Sequence, residues 1–306
     1  MKQIAYLLLS GIVGLAACQN KLSKQTDKNI QDIDNTKQET NIDSIKQNAK
    51  LNSIKQVLAQ TTDPLKRIKL HQQIIDIKIE GSSPEERCQL FDDYSTEVQK
   101  ELNKLNERES HYIEHYYDYR MDDEGNEKEP YDSIKKKDLF YKKAGIDIID
   151  LGEGIVELTL QTKFYTKYVK QLPKYYQDYW YLIKDAENIA PDACLIITWH
   201  ELNNLLARYE AYVKANPTQK ELICRLQEDY KFLQSAFLFG VDNTSTVDFD
   251  SVDKKVKEEW KRFIKTYPDS PTTPFIKEML LLNKYEDMYS IQQKLIRFQE
   301  TSNYPL

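Results

Sequence analysis

His111-Tyr112-Ile113-Glu114-His115 sets two imidazoles four residues apart with a carboxylate between them. On a helix that spacing lets both rings reach one Zn²⁺, and Glu114, one turn from His111, can act as general base toward a metal-bound water. The helix that would carry them is marked by apolar residues at Phe91, Tyr94, Val98, Leu102, Leu105, Tyr112, Tyr116 and Tyr119, whose steps of three, four and seven share one face. With Leu105 at the centre of that stripe, His111 and His115 fall beside it and Glu114 falls opposite, toward solvent. The plainer expectation is therefore a tyrosine-rich helix flanked by histidines, with no metal and no catalytic group. Zinc on His111 and His115 with Glu114 as the catalytic base is the alternative. Trp199-His200-Glu201 opens like another zinc motif, but the second ligand position holds Asn204. Asp242, Asn243, Asp248 and Asp250 offer oxygens without the spacing of a calcium loop, and a turn or cap role is expected.

The His111–His115 pattern resembles the inverted zinc-peptidase motif, which implies a third ligand, usually a glutamate further along. Members of that family embed it in an α/β fold, whereas here the helix runs toward the acidic loop Asp122-Asp123-Glu124-Gly125-Asn126. The other reactive position is Cys18. Lys2 is followed by an apolar run from Ile4 to Leu15, too short for a spanning helix of roughly 20 residues, and then by Leu15-Ala16-Ala17-Cys18. This start resembles the bacterial lipoprotein signal. The resemblance implies that residues 1–17 are removed and that Cys18 carries acyl chains such as palmitate, mooring the rest to a membrane of the cell envelope. Each buried methylene contributes about 0.8 kcal/mol to such an anchor. Gln19 stands where Asp marks inner-membrane retention in enterobacterial lipoproteins, which favours the outer membrane in a host with two.

The net charge of −6 becomes −7 once Lys2 is removed, a field that repels nucleic acid. Of the remaining cysteines, Cys88, Cys194 and Cys224, at least one is unpaired; all three are expected to be buried and structural. With 8 glycines and 10 prolines in 306 residues the chain is poor in turn formers, which argues against a turn-dense sandwich or barrel. Residues 18–50, polar with scattered isoleucines, are expected to be the lipidated cysteine and a flexible tether.

From 51 onward helical periodicity dominates. Asp63-Pro64 and Ser83-Pro84-Glu85-Glu86 supply an N-cap oxygen followed by proline at the first helical position. Ile146 to Leu160, around Gly152-Glu153-Gly154, predicts a small β-hairpin dividing an N-terminal helical part, 51–145, from a C-terminal one within 146–306. The second part repeats a pattern three times: Tyr165, Tyr168, Val169, Lys170, Pro173; Tyr209, Tyr212, Val213, Lys214, Pro217; and Trp260, Phe263, Ile264, Lys265, Pro268. The first three positions of each copy form one ridge, and the proline ends the helix. These copies resemble the second half of tetratricopeptide or related helical-hairpin repeats over about residues 160–300. The expected fold is mainly α, a helical-hairpin or α-solenoid-like array with the hairpin near 146–160.

Tyrosine is abundant, and Tyr175, Tyr176, Tyr179 and Trp180 crowd one short span. Consecutive rings cannot all face one side of a helix, so these four are the candidate contact surface for a protein or glycan partner, against the plainer reading that they edge the core. The function expected is a lipid-anchored envelope scaffold or binding module without catalysis. A zinc-dependent envelope peptidase and a sugar- or peptide-capturing accessory lipoprotein are the alternatives.

Overall fold

The computed structural model describes residues 33–152, 154–248, 251–282 and 288–301. Cys18 and the segment before it lie outside the described residues, as does Asp250. The chain divides into a unit of residues 1–49 and a unit of residues 50–306. Within the first, the described part is helical and belongs to α1, Ile33–Gln60. The flexible tether expected to reach residue 50 is therefore helical from Ile33. Too few apolar residues predicted a coil, but the stretch has no glycine or proline to interrupt a helix.

The rest is mainly α with a small β-hairpin, around one contiguous core from Leu65 to Leu295. Helix α2, Pro64–Ile79, starts where Asp63 accepts from the Lys66 N–H at 2.8 Å. Helix α3, Pro84–Arg108, starts with a reciprocal capping box: the Glu86 N–H donates to Ser83 Oγ and the Ser83 N–H to Glu86 Oε2. The two helices pack as neighbours across a short connection, burying Ile68, Ile75 and Ile79 against Phe91, Val98 and Leu102.

The helix expected to continue to Tyr119 stops at Arg108, and a single turn, α4, Ser110–Glu114, follows. Glu109 sits between them with non-helical torsions, its carboxylate paired with Lys137 at 2.6 Å and Arg108 at 3.1 Å. The tyrosines keep their partners across the break. Tyr112 stacks on Tyr119 and meets Tyr141 of α5, Asp132–Ala144, while its hydroxyl donates to Asp138.

Strands β1, Ile146–Gly152, and β2, Ile155–Leu160, pair antiparallel with Ile146 opposite Leu160 and Ile148 opposite Leu158. Val156, Leu158 and Leu160 are buried, whereas Ile155, at the turn, is exposed. Asn106 of α3 completes the free edge of β2: the Leu158 N–H donates to its side-chain oxygen at 2.8 Å, and its amide donates to the Leu158 carbonyl at 3.1 Å.

Helices α6, Lys163–Val169, and α7, Lys174–Ala186, precede a 3-10 turn at Pro191–Ala193. Then come α8, Trp199–Ala215; α9, Lys220–Arg225; α10, Gln227–Phe239; α11, Lys254–Thr266; α12, Thr273–Leu281; and α13, Met288–Thr301. Short strand pairs, 240–241 with 244–245 and 247–248 with 251–252, link α10 to α11. All three copies of the aromatic pattern end a helix, namely α6, α8 and α11, a few residues before their prolines. Tyr168, Tyr209, Tyr212, Trp260 and Phe263 are buried, and Lys170, Lys214 and Lys265 are exposed. Helix α8 packs against α7, α10 and α11.

A buried ion pair ties the end of α1 to this body. Arg67 donates through Nε to Glu101 at 2.7 Å and through Nη1 to the carbonyls of Leu58 at 2.8 Å and Thr61 at 3.1 Å. Burial raises the Glu101 carboxyl, but Arg67 and Lys104 outweigh it and hold the group below its ordinary range. A carboxyl lowered in the folded state contributes stability above its unfolded pKa and loses it as pH falls through the folded value.

Arg67→Ala is therefore expected to cost roughly 3 kcal/mol at neutral pH and much less near about pH 3, read from urea titrations at both pH values. A loss independent of pH would refute the assignment. Asn106→Ala, which strips Leu158 of both partners, is expected to cost about 2 kcal/mol by the same measurement, with near-neutrality as the contrary result.

Candidate binding pocket between α8 and the α11–α12 turn

Helix α8 begins with a capping box in which the Glu201 N–H donates to Thr198 Oγ1 and the Thr198 N–H to Glu201 Oε2. That use of Glu201 accounts for Trp199-His200-Glu201 without a metal. The helix buries Leu202, Leu205, Leu206, Tyr209 and Tyr212, leaving Glu210 on the shoulder of the buried face. On its other side the chain leaves α11 in a tight turn. The Ser270 N–H donates to the Tyr267 carbonyl at 3.1 Å, the Thr272 N–H to Ser270 Oγ at 3.0 Å, and the Thr273 hydroxyl back to the Tyr267 carbonyl at 2.7 Å.

This turn aims two hydroxyls at one carboxylate oxygen. Ser270 Oγ and Thr272 Oγ1 each donate to Glu210 Oε1 at 2.9 Å, and the Tyr230 hydroxyl of α10 donates to it at 3.1 Å. Gln234 fixes two of these donors, its amide reaching Thr272 Oγ1 at 3.0 Å and the Tyr230 oxygen at 3.2 Å. Gln299 of α13 in turn donates to Gln234 Oε1 at 2.9 Å. Hydroxyls from α10 and the turn thus converge on one carboxylate of α8, with Gln234 and Gln299 behind them, and a network with this many fixed members holds its geometry tightly.

Glu210 opens on a pocket of about 550 Å³, a size within the usual range for small-ligand sites. Ala207, Ala211 and Val213 of α8 line it, with Tyr267, Pro268 and Pro271 opposite. Burial pushes the Glu210 carboxyl above its ordinary range, and the three hydroxyls offset only part of that rise. Among the described residues no cation pairs with it. Lys214, one turn on, is exposed at the mouth of the pocket and makes no ion pair with Glu210.

The residues expected to carry chemistry lie elsewhere. His111 and Glu114 are exposed, and His115 is half-buried at the end of α4. The His111 and His115 rings meet edge to face with centroids 4.5 Å apart, and His115 Nδ1 engages Asp118 at 2.7 Å. Among the described residues no group of three His, Cys, Asp or Glu side chains converges as metal ligands would. Asn243 ties its segment to the 3-10 turn, its amide donating to the Asp192 carbonyl at 2.6 Å.

The aromatic surface expected on α7 is divided by the helix. Tyr176 and Tyr179 are core: Tyr176 meets Phe91 edge to face and donates to Asp92, and Tyr179 packs toward Tyr212. Tyr175 and Trp180 are half-buried at the border of the core. Cys194 and Cys224, expected to be buried, are exposed, Cys88 is half-buried beside the Tyr175 hydroxyl, and all three are free thiols.

A second, shallower groove of about 660 Å³ runs beside the β-hairpin, lined by Tyr117, Met121, Asp150 and Ile196 among others. Two non-glycine residues of its lining, Asn188 and Asp192, have positive φ. Gly152 lets the α7–α8 connection approach, since a Cβ there would sit 2.5 Å from the Asp192 nitrogen. The Asp150 carboxylate is spent on Tyr117 and the Gly152 N–H, and the exposed Asp192 also lines this groove.

No protein family, curated protein or solved structure matches this chain. Glu210 nevertheless has a signature in the sequence. It stands between Tyr209 and Tyr212 with Leu206, Ala207 and Val213 three or four residues away, so a carboxylate shares the apolar face. The distant Ser270-Pro271-Thr272-Thr273 run holds the hydroxyls it needs, but only the folded chain brings them together.

A carboxyl raised in the folded state lowers stability as pH climbs through its unfolded pKa. Glu210→Gln, which keeps an acceptor for the hydroxyls, is therefore expected to raise the melting temperature at neutral pH and to match the wild type at about pH 4. A lower melting temperature at neutral pH would show that the charge stabilises the fold.

Proposed function

We propose that this chain is a lipid-anchored protein of the cell envelope whose helical body acts without catalysis, as a scaffold or binding module. The observation that carries the binding reading is the Glu210 pocket: a carboxylate cradled by three hydroxyls beside a cavity with largely apolar walls. A binding site needs a fixed polar group among apolar walls.

Anchoring is supported by Leu15-Ala16-Ala17-Cys18 after a short apolar run. Among the described residues no helix is long and apolar enough to cross a membrane. The recurring aromatic ridges, each ending a helix that packs on its neighbours, are what a helical-hairpin array related to tetratricopeptide repeats would present.

Expression of the full chain with an alkynyl palmitate analogue should label Cys18 and place the protein in the membrane fraction. Cys18→Ala should remain unlabelled. An intact mass that retains residues 1–17, with no acyl group on Cys18, would overturn the anchored reading.

A further inference from the structure

We infer that the Glu210 pocket receives a cationic head group on an apolar stem, an alkylammonium or guanidinium such as a lysine or arginine side chain of a protein partner. The inference rests on the reading of the body as a binding module and names what that module binds. Three features of the pocket select this chemistry over others.

The first is the state of the carboxylate. Ser270, Thr272 and Tyr230 all present hydrogens to Oε1, an arrangement that suits an ionised acceptor. Oε2 receives none of the three. Hydroxyl dipoles orient the charge but do not neutralise it, and a partly buried charge with no counter-ion is costly. The pocket is the space in which that counter-charge fits.

The second is the wall. Ala207, Ala211, Val213, Pro268 and Pro271 offer methyl and methylene surface leading to the carboxylate, and the half-buried Tyr267 ring adds an aromatic face. Long cationic side chains bury their stems along such surface while the head finds its partner, and cations are drawn to aromatic faces. An anionic ligand would meet Glu210 directly, with Asp269 also on the lining.

The third is that this chain does not fill the place itself. Lys214 is on the same helix one turn away, yet it stays exposed and unpaired with Glu210. Its charge at the mouth weakens an incoming cation, so removing it strengthens binding. The arrangement keeps the carboxylate open to something from outside.

The test uses the purified full chain in a mild detergent and three blocked probes: N-acetyl-lysine N-methylamide, N-acetyl-arginine N-methylamide, and the uncharged N-acetyl-norleucine N-methylamide, with 1,5-diaminopentane as a free amine. Saturation-transfer NMR and calorimetry are expected to show saturable binding of the charged probes, at least tenfold tighter than norleucine. Glu210→Gln should weaken the charged probes at least tenfold while leaving norleucine unchanged, and Lys214→Gln should tighten them. Tighter binding of the diamine than of the blocked amino acids would make a free amine the ligand and overturn the protein side chain. Equal binding of norleucine and the charged probes, lost on filling the pocket with Ala211→Trp, would overturn the cation inference and leave the binding module standing. If no probe registers, charged or neutral, in a chain whose thermal melt is intact, the pocket is no binding site and both readings fall.

Discussion

Where an aromatic ring is buried with a hydroxyl or an indole N–H, the donor it carries into the core constrains the packing once it meets an acceptor on another element, although the buried Tyr212 hydroxyl meets none. Tyrosine outnumbers phenylalanine 21 to 10, so the constraint recurs throughout the chain. Tyr209 donates to the Leu182 carbonyl of α7, Trp260 to the Phe237 carbonyl of α10, and Tyr168 to the Gln72 carbonyl and Asp76 of α2. A ridge of leucines would pack tolerably at several rotations. A ridge whose polar edge must meet one carbonyl packs at one, because an unmade bond in the core costs about 1–3 kcal/mol. The ring supplies buried area, and the donor supplies the register between helices.

That register is what positions Glu210. Tyr209 locks the rotation of α8 against α7, and Trp260 locks α11 against α10. With both fixed, the residue after Tyr209 faces the turn after α11, where Ser270 and Thr272 are held by the turn's own backbone. The pocket is thus the gap left when two aromatic ridges are pinned side by side and the residues between them are small. Alanines and prolines among its walls leave the space open where larger side chains would fill it.

The local logic of the fold was legible in the sequence, and the long-range logic was not. Both proline-led caps, the hairpin between Ile146 and Leu160, and the helix ends at the three aromatic patterns follow from nearest-neighbour chemistry, and all are found in the folded chain. At the break, Glu109 pairs with Lys137, twenty-eight residues later, and no periodicity in α3 foretells it. The tyrosines of α7 illustrate the same limit. Their crowding shows that they cannot share a face, but which of them face the core is decided by Phe91, Asp92 and Tyr212 on other helices. For Glu210 the apolar neighbours on α8 were visible. The hydroxyls that make its placement tolerable come from Tyr230 and from sixty residues downstream.

Comparing the three aromatic copies narrows why a carboxylate stands there. The position after the first aromatic is Thr166 in one copy, Glu210 in the next and Lys261 in the last, so the fold accepts a hydroxyl or an exposed cation at that point. Neither alternative leaves a buried charge unbalanced. A threonine at 210 could take its hydrogen bonds from the same turn, and an exposed lysine would avoid desolvation altogether. The helix geometry therefore does not require an acid, and burial makes this one expensive. A group that costs stability, is held by three donors in a network spanning three helices and a turn, and opens on a cavity has its compensation outside the chain. Preorganised in this way, the carboxylate needs no reorganisation when a counter-charge arrives, which is the condition under which a single ion pair contributes most to binding.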